Sequence, residues 1–564
     1  MEGYVVDALP TRGGVVLVLD GFRKVKVNTT FPIYVITDSP ERIAEHPSVL
    51  HYEQEVWRDL DGKEVDLYRF ELEDMEAYNY IRRRVETVNE IPTVMSQVLH
   101  RINAYPFRKV RVGKGVEMYP EEFPKVSFAT VVTEDWYGPS PKGRRFVANV
   151  NGEKLQGRID DLDLKVDVAE CFGIACQKVT ASVKIRRKRA PVSVRGMIEW
   201  SLVSRTLIRE LEGSTIGKVL TTNEAWVAFS RRVLIPRVVP RVEKMRTLDE
   251  IRAVDKGGLV LFPRVGCFDQ VSQVDFSSMY PSLIVKYNIS AETVDVCNDL
   301  ETEIGHSICM RETGIVPEAL RWLIKRKEEL KRVDEERAEA IKWILVASFG
   351  YLGYRNSKFG KIEAYELVTY FARKTLRETM VLAREYGLEV LHGIIDSLIL
   401  KGERVQEFLR SAEEMTGLRL KEDRMKWILL FPRRDGRPYP MRYMGKLESG
   451  EVKVKGLIRR NLPNVVRVFV EEAVGLAEGA ESCQDLEEIT KDLNLLAKKY
   501  RERILNGDPR DYVIWVKGKP LIRGVRGFYD PSRGYRGRDV YYYLDYLERE
   551  RQVLIDAYHG FSGN

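Results

Sequence analysis

The apolar positions of this chain change period several times. Near the start, "VVLVLD" and "FPIYVIT" are short apolar runs bounded by turn residues and predict strands, whereas "DMEAYNYIRRRVETV" has a helical period. From about Pro124 to Arg195 the pattern is β-like and more polar, and it closes on the basic run "IRRKRAP". A helical stretch, "GMIEWSLVSRTLIREL", follows. "GGLVLFPRVGCFDQVSQVDFSSMYPSLIVKYNIS" reads as two strands leading into a helix, with Val271–Asp275 as the second strand and Pro281 able to start the helix. Residues 317–349 read as two helices broken by charge near Val333–Glu336, with Pro317 in a first helical turn. "EVLHGIIDSLIL", Glu389–Leu400, reads as two strands around Gly393, and beyond about Lys446 the pattern is mostly helical with basic loops. No internal repeat or long low-complexity segment interrupts this order.

At 564 residues the chain exceeds what one core usually serves, so several domains are expected, and 44% apolar residues suffice to build them. A net charge of +7 is compatible with a polyanionic partner. Six cysteines in this length suggest core thiols rather than a disulfide framework; the pair in "CFGIAC", Cys171 and Cys176, has no second pair or histidine cluster after it. No apolar run reaches membrane-spanning length, and "MEGYVVDALPTRGG" lacks a signal-peptide core. The expectation is a soluble, intracellular protein that makes no use of a membrane.

Two carboxylates stand out. Asp396 interrupts an almost wholly apolar run, and an unpaired buried carboxylate is costly. Asp275 falls at the predicted end of a strand. Alone it reads as a turn or helix-capping residue. Paired with Asp396 on a neighbouring strand end, the two would repel unless a cation lay between them, and oxygen ligands of this kind suit Mg²⁺ with phosphates completing its shell. Two such ions about 4 Å apart can align an attacking hydroxyl with a leaving pyrophosphate. Lys327 and Lys331, four apart on one helix face, and Lys342 on the next helix could converge on a triphosphate. The plainer reading of that run is a solvated, charged helix pair.

These residues lie in recognisable text. "VDFSSMYPSLI" resembles the first palm motif of family B DNA polymerases, "KWILVASFG" their fingers motif and "HGIIDS" their second palm motif, in the family's order. "GGLVLFP", "NISAET" and "GYLGYRNSKFG" support them, "YPMRYMG" and "VKGLIRRN" are similar more loosely to the start of the thumb, and similarity runs from about Ile198 to Lys455. The resemblance implies that Asp275, Asp396 and the Phe276 carbonyl hold the metal. It places Tyr280 under the nucleotide sugar, where a 2′-hydroxyl would clash. Lys327, Lys331 and Lys342, with Val346, fall at nucleotide-binding positions. Phe349, Gly350, Arg442, Tyr443, Lys455, Arg459 and Arg460 fall where the family meets DNA.

The departures are specific. Ile394 replaces the first aspartate of the second palm motif, Val346 the fingers asparagine, Phe349 the tyrosine of a Tyr-Gly pair and Lys327 an arginine, which gives up a planar fork for a point charge. The hairpin between Lys331 and Lys342 is shorter than the family's. Where the family's proofreading domain has Asp-Ile-Glu, "ATVVT" puts Thr130 and Val132 at the acidic positions, and "KRAPVSVR" holds no Tyr-x-x-x-Asp. The acidic cluster Asp160, Asp161, Asp163 and Asp167 reads as a solvated loop. This combination resembles the second, divergent B-type polymerase of archaea. The basic runs "IRRKR" (Arg186, Arg187, Lys188, Arg189), "FPRRDGR" and "GLIRRN" read equally as DNA-backbone contacts or as solvated loops. "DVYYYLDYL" reads as thumb core.

The expected fold is α+β and multidomain, a right-hand polymerase. Its parts are an N-terminal domain at 1–120, a reduced, RNase H-like exonuclease remnant with connector at 121–240, palm at 241–310 and 362–445, fingers at 311–361 and thumb at 446–564. The expected function is extension of primer-template DNA with dNTPs, using Mg²⁺ or Mn²⁺, without proofreading, and directed to mismatched or damaged primer ends in repair. A cytoplasmic, nucleoid-associated location follows. A sliding clamp or repair proteins are not readable as partners from the sequence. The rival reading is a catalytically impaired paralogue serving as a DNA-binding scaffold.

Overall fold

A computed structural model describes residues 1–133, 145–171, 175–186, 192–237, 243–433, 435–459, 461–517 and 519–559. The basic positions Arg187, Lys188, Arg189, Arg434 and Arg460 lie outside these. No described helix is long and apolar enough to cross a membrane. The chain divides into two compact units. One holds the described residues up to Lys256 together with Tyr280–Phe371; the other holds Gly257–Met279 and the chain from Ala372 onward.

The first unit opens on a five-stranded and a four-stranded sheet that share a core of Val5, Leu17, Phe31, Phe70, Val98 and Leu99. "VVLVLD" and "FPIYVIT" contribute the strands Gly14–Leu19 and Phe31–Val35, and the predicted helix is Met75–Arg82, capped by Asp74. A separate five-stranded sheet follows. Its first strand, Phe128–Thr133, is central. Arg145–Val150 and Glu153–Arg158 stack antiparallel on one side, and Leu164–Cys171 and Val179–Ile185 run parallel to it on the other. Helix Val194–Ser204, capped by Ser193, stops at Arg205, which takes a positive φ of 53°. The two helices expected over 317–349 are Ile315–Lys331 and Glu335–Leu352. The break is short because Asp334 caps the second, its side chain accepting from the Arg337 amide.

The second unit is built on an antiparallel sheet of seven strands. In spatial order these are Val260–Leu261, Glu389–Ile394, Ser397–Lys401, Gly266–Phe276, Leu420–Pro432, Pro438–Leu447 and Val452–Lys455. Alternation along Leu420–Pro432 gives the sheet two apolar faces. Trp427, Leu429 and Phe431 join the core of the C-terminal helices Asn464–Leu476, Thr490–Asn506 and Val540–His559, while Ile428 and Leu430 pack with Val271, Leu391 and Tyr443. Tyr543 is fully buried there, as expected of a core residue, although Tyr541 is exposed.

Several expectations change. The 389–401 hairpin turns at Ile395–Asp396, not at Gly393, which lies inside the first strand; the register of an all-apolar run cannot be read from its periodicity. The C-terminal part also holds a three-stranded sheet, Val513–Val516, Lys519–Gly524 and Gly527–Tyr529, whose strands are too short to carry a period. The cysteines are not core thiols. They pair as Cys171–Cys176, Cys267–Cys483 and Cys297–Cys309, with Cα separations of 5.2, 5.8 and 5.1 Å. The second pair joins residues 216 apart, a proximity that only the fold creates.

Candidate active site

Within the second unit, Asp275 is the penultimate residue of the central strand Gly266–Phe276 and lies opposite Ser397 in the ladder. Asp396 occupies the two-residue turn before Ser397. The Phe276 amide donates to the Asp396 carbonyl at 2.9 Å, so the two aspartates are fixed on adjacent strand ends. The turn is strained. Ile395 has a φ of 57°, a region unfavourable to β-branched residues. Its amide is held by the Leu259 carbonyl at 2.8 Å, and the Asp396 amide by the Ile394 carbonyl at 2.6 Å. Ile394, where the resemblance leads one to expect an aspartate, is buried and paired with Val260.

Asp396 is exposed in the turn at the end of the sheet, yet the protein around it takes away part of its water and adds a negative neighbour. Loss of water raises its pKa above the ordinary value, the Asp275 charge raises it further, and Lys455 opposes both. A carboxylate whose ionised form is penalised by its own neighbour is relieved by a cation. Two carboxylates and a nearby backbone carbonyl are hard oxygen donors, a set that fits a small divalent ion.

A polar cluster backs these residues. Gln273, two before Asp275 and so on the same face, donates from Nε2 to Asp275 Oδ1 at 3.3 Å and to the Ser397 hydroxyl at 3.2 Å, and accepts at Oε1 from the Tyr443 hydroxyl at 3.3 Å. Lys453 donates to Gln273 Oε1 at 3.0 Å and to Asp423 Oδ2 at 2.8 Å. Burial works to raise the Asp423 pKa, but hydrogen bonds from Lys453 and Lys421 outweigh it and hold the pKa low. Burial works to lower that of Lys453, and its bond to Asp423 and the charges of Tyr443 and Asp275 leave it raised. Gln273, Asp423 and Lys453 were missed in the sequence. Period-two alternation was the available signal, since Lys453 shares a strand face with Lys455.

Tyr443 is buried, and Arg442 is half-buried with its guanidinium 4.8 Å over the Tyr439 ring. Lys455 is exposed, its Nζ 5.8 Å over the Tyr443 ring. Arg459 forms an ion pair with Glu550 of the last helix.

In the first unit, Lys342, Val346, Phe349 and Gly350 fall at helical spacing on one side of Glu335–Leu352, while Ala338, Ile341, Leu345 and Leu352 are buried. Lys342 is exposed and pairs with Glu339 at 3.0 Å; Val346 is 63% exposed, so an apolar side chain faces solvent where a polar one would be at home. Lys327 lies 3.2 Å from Glu328, and Lys331 is exposed near the end of its helix. The Tyr280 and Phe349 rings meet edge to face at 4.5 Å between centroids, and Tyr365 stacks on Phe349 at 4.4 Å and 18°.

In the sheet at 128–185, Thr130 is half-buried opposite Glu170, which it reaches at 3.5 Å, and Val132 is 53% exposed. Asp160, Asp161 and Asp163 are exposed, as a solvated loop requires. Asp167 departs from that expectation. It is buried on the strand Leu164–Cys171 and accepts from the Ser127 amide and hydroxyl and the Gly21 amide, a structural post set by strand register rather than by local charge. The cation Arg186 lends its amide to Glu212.

Comparison with known proteins gives this arrangement a context. The profile described as DNA polymerase family B matches residues 228–398. DNA polymerase 2 of Saccharolobus solfataricus is 56% identical over 551 residues, 97% of this chain and 86% of that protein. DNA polymerase 1 of Aeropyrum pernix is 29% identical over 319 residues, 51% of this chain and 33% of that one. The solved structure of the family B DNA polymerase from Pyrobaculum calidifontis matches with a TM-score of 0.68 at 16% identity, covering 98% of this chain and 99% of that one, a likeness of fold.

Proposed function

Since the chain belongs to DNA polymerase family B, and is a DNA-directed DNA polymerase with a right-hand fold acting on template DNA and nucleotides, we propose that its catalytic centre is Asp275 and Asp396. The observation that carries this is the tie between the Phe276 amide and the Asp396 carbonyl, which fixes the backbones of a strand-end aspartate and a turn aspartate beside one another, close enough that the Asp275 charge acts on Asp396. With the Phe276 carbonyl they would hold divalent ions, Mg²⁺ by preference and Mn²⁺ as substitute. Bound there, such ions neutralise the triphosphate and lower the cost of primer hydroxyl attack on the α-phosphorus with loss of pyrophosphate.

The chain's own groups do the rest. Lys327, Lys331 and Lys342 bind the triphosphate. The Tyr280 ring, backed by Phe349, excludes a 2′-hydroxyl. Arg442, Tyr443, Lys455, Arg459, Arg460 and the open surface at Gly350 meet the DNA, with the first two supported by Tyr439 and Gln273. The domain assignment follows: palm at 241–310 and 362–445, fingers at 311–361, thumb at 446–564, an N-terminal domain at 1–120, and at 121–240 an RNase H-like remnant without nuclease chemistry, since Thr130 and Val132 bring no carboxylate to the acidic positions. Without proofreading, and with Val346 offering no polar contact, the enzyme suits extension of mismatched or damaged ends in repair, at the nucleoid.

Primer extension on primed and gapped templates, with Mg²⁺ and with Mn²⁺, tests the proposal. Extension by the wild type and none by Asp396→Asn is expected. DNA binding with no extension under either ion would instead support the scaffold reading.

A further inference from the structure

The helical hairpin that carries the three lysines is anchored at an unexpected place. Glu199, on helix Val194–Ser204, is completely buried. Its carboxylate receives Arg326 Nε at 2.8 Å on Oε1, and Arg337 Nε at 2.7 Å on Oε2. Arg326 belongs to the first helix of the hairpin and Arg337 to the second, so one carboxylate grips both. Arg326 also reaches Glu121, which balances the cluster at two negative and two positive groups.

Further contacts lock the same helix to the turn of the hairpin. Arg195 Nε donates to Asp334 at 2.6 Å, the Ser193 hydroxyl to Glu336 at 2.5 Å, and Trp200 Nε1 to the Ala340 carbonyl at 2.7 Å. The helices approach closely at Gly196, where a Cβ would lie 3.1 Å from that of Ala340. Arg195 and Arg337 both lie over the Phe123 ring, at 4.1 and 4.6 Å.

We propose that Glu199 is a positioning residue for the incoming nucleotide, fixing through Arg326 and Arg337 the rotation of both hairpin helices and thereby the aim of Lys327, Lys331 and Lys342. Each helix turns about 100° per residue, so holding Arg326 sets the direction of Lys327 next to it, and holding Arg337 sets that of Lys342. A hydrogen-bonded carboxylate does this better than an apolar contact, because two forked guanidiniums accept few geometries. Glu199 itself touches no substrate. The inference rests on the assignment of the lysines to the triphosphate.

The test is steady-state dNTP incorporation by Glu199→Gln, Lys342→Ala and the double variant, with primer-template affinity measured alongside. Lys342→Ala should raise KM for dNTP. Glu199→Gln should raise it by about tenfold while DNA affinity stays unchanged, and the double variant should fall well short of the product of the two effects, as groups acting through one another do. If Lys342→Ala leaves KM unchanged, the lysine assignment fails. If Lys342→Ala raises KM but Glu199→Gln does not, or if the two effects multiply, the positioning role is overturned. Should Glu199→Gln not fold, Arg337→Lys, which keeps the charge and removes the fork, is read by the same outcomes.

Discussion

The amide of Phe276 donates to the carbonyl of Asp396 at 2.9 Å, and this bond joins the end of the central strand to the turn of a neighbouring hairpin. Neither aspartate can move along its strand without breaking it. Asp275→Ala and Asp396→Ala should therefore each lower primer extension by at least about a hundredfold, because either leaves the developing charge without its counterpart. Primer-template binding should persist, since it rests on distributed basic groups. Gel-shift and extension assays on the same preparations check both; near wild-type extension by either variant would remove that residue from the centre.

Sugar selection should depend on a stack rather than on one ring. Tyr280 abuts Phe349, and Phe349 is stacked on Tyr365. Tyr280→Ala should admit ribonucleotides and Tyr280→Phe should still exclude them. Tyr365→Ala should weaken exclusion by a smaller factor by letting Phe349 recede. The ratio of ribonucleotide to deoxynucleotide incorporation is the measurement. An unchanged ratio in Tyr280→Ala would make that residue ordinary core.

No 3′ to 5′ degradation is expected of the purified protein. The first strand of the 128–185 sheet offers Thr130 and Val132, and the buried Asp167 is already committed to Ser127 and Gly21. Labelled mismatched DNA incubated with Mg²⁺ and no nucleotide should keep its length. Progressive shortening would place an acidic cluster where none is assigned.

His306 predicts a pH-dependent part of stability. Its ring lies 2.9 Å from both Glu366 and Asp295. The hydrogen bond to Glu366 raises its pKa above the ordinary 6.5, burial opposes, and the Asp295 charge adds to the rise. Glu366 also pairs with Arg246 at 2.7 Å. A raised folded-state pKa gives stability that is fully present below about 6.5 and lost as pH rises through the folded value. The Tm gap between wild type and His306→Gln should be widest near pH 5.5 and shrink in alkaline buffer; a gap independent of pH would refute the charged pair.

The Cys267–Cys483 bond closes a long loop between the central strand and helix Cys483–Glu488. Its loss in Cys267→Ser with Cys483→Ser should cost about 2–5 kcal/mol of stability and leave extension of a primed template intact at moderate temperature. Denaturant unfolding reads the first, and mass spectrometry of the alkylated native protein should find both sulfurs protected.

The helix pair with its charged break and Asp275 at a strand end were legible in the sequence, because each depends on local period and turn chemistry, and the order of the motifs was legible through the family resemblance. The chain alone could not say that the hairpin turns at Ile395–Asp396, since an apolar run has no polar face to set its register. Nor could it reveal Gln273, Lys453 and Asp423 behind the aspartates, Glu199 holding two arginines, or Cys267 meeting Cys483. Those relations join residues far apart in the chain, and their spacing carries no trace in local pattern. They exist only after strands have paired and helices have packed, which is when desolvation and charge begin to act between them.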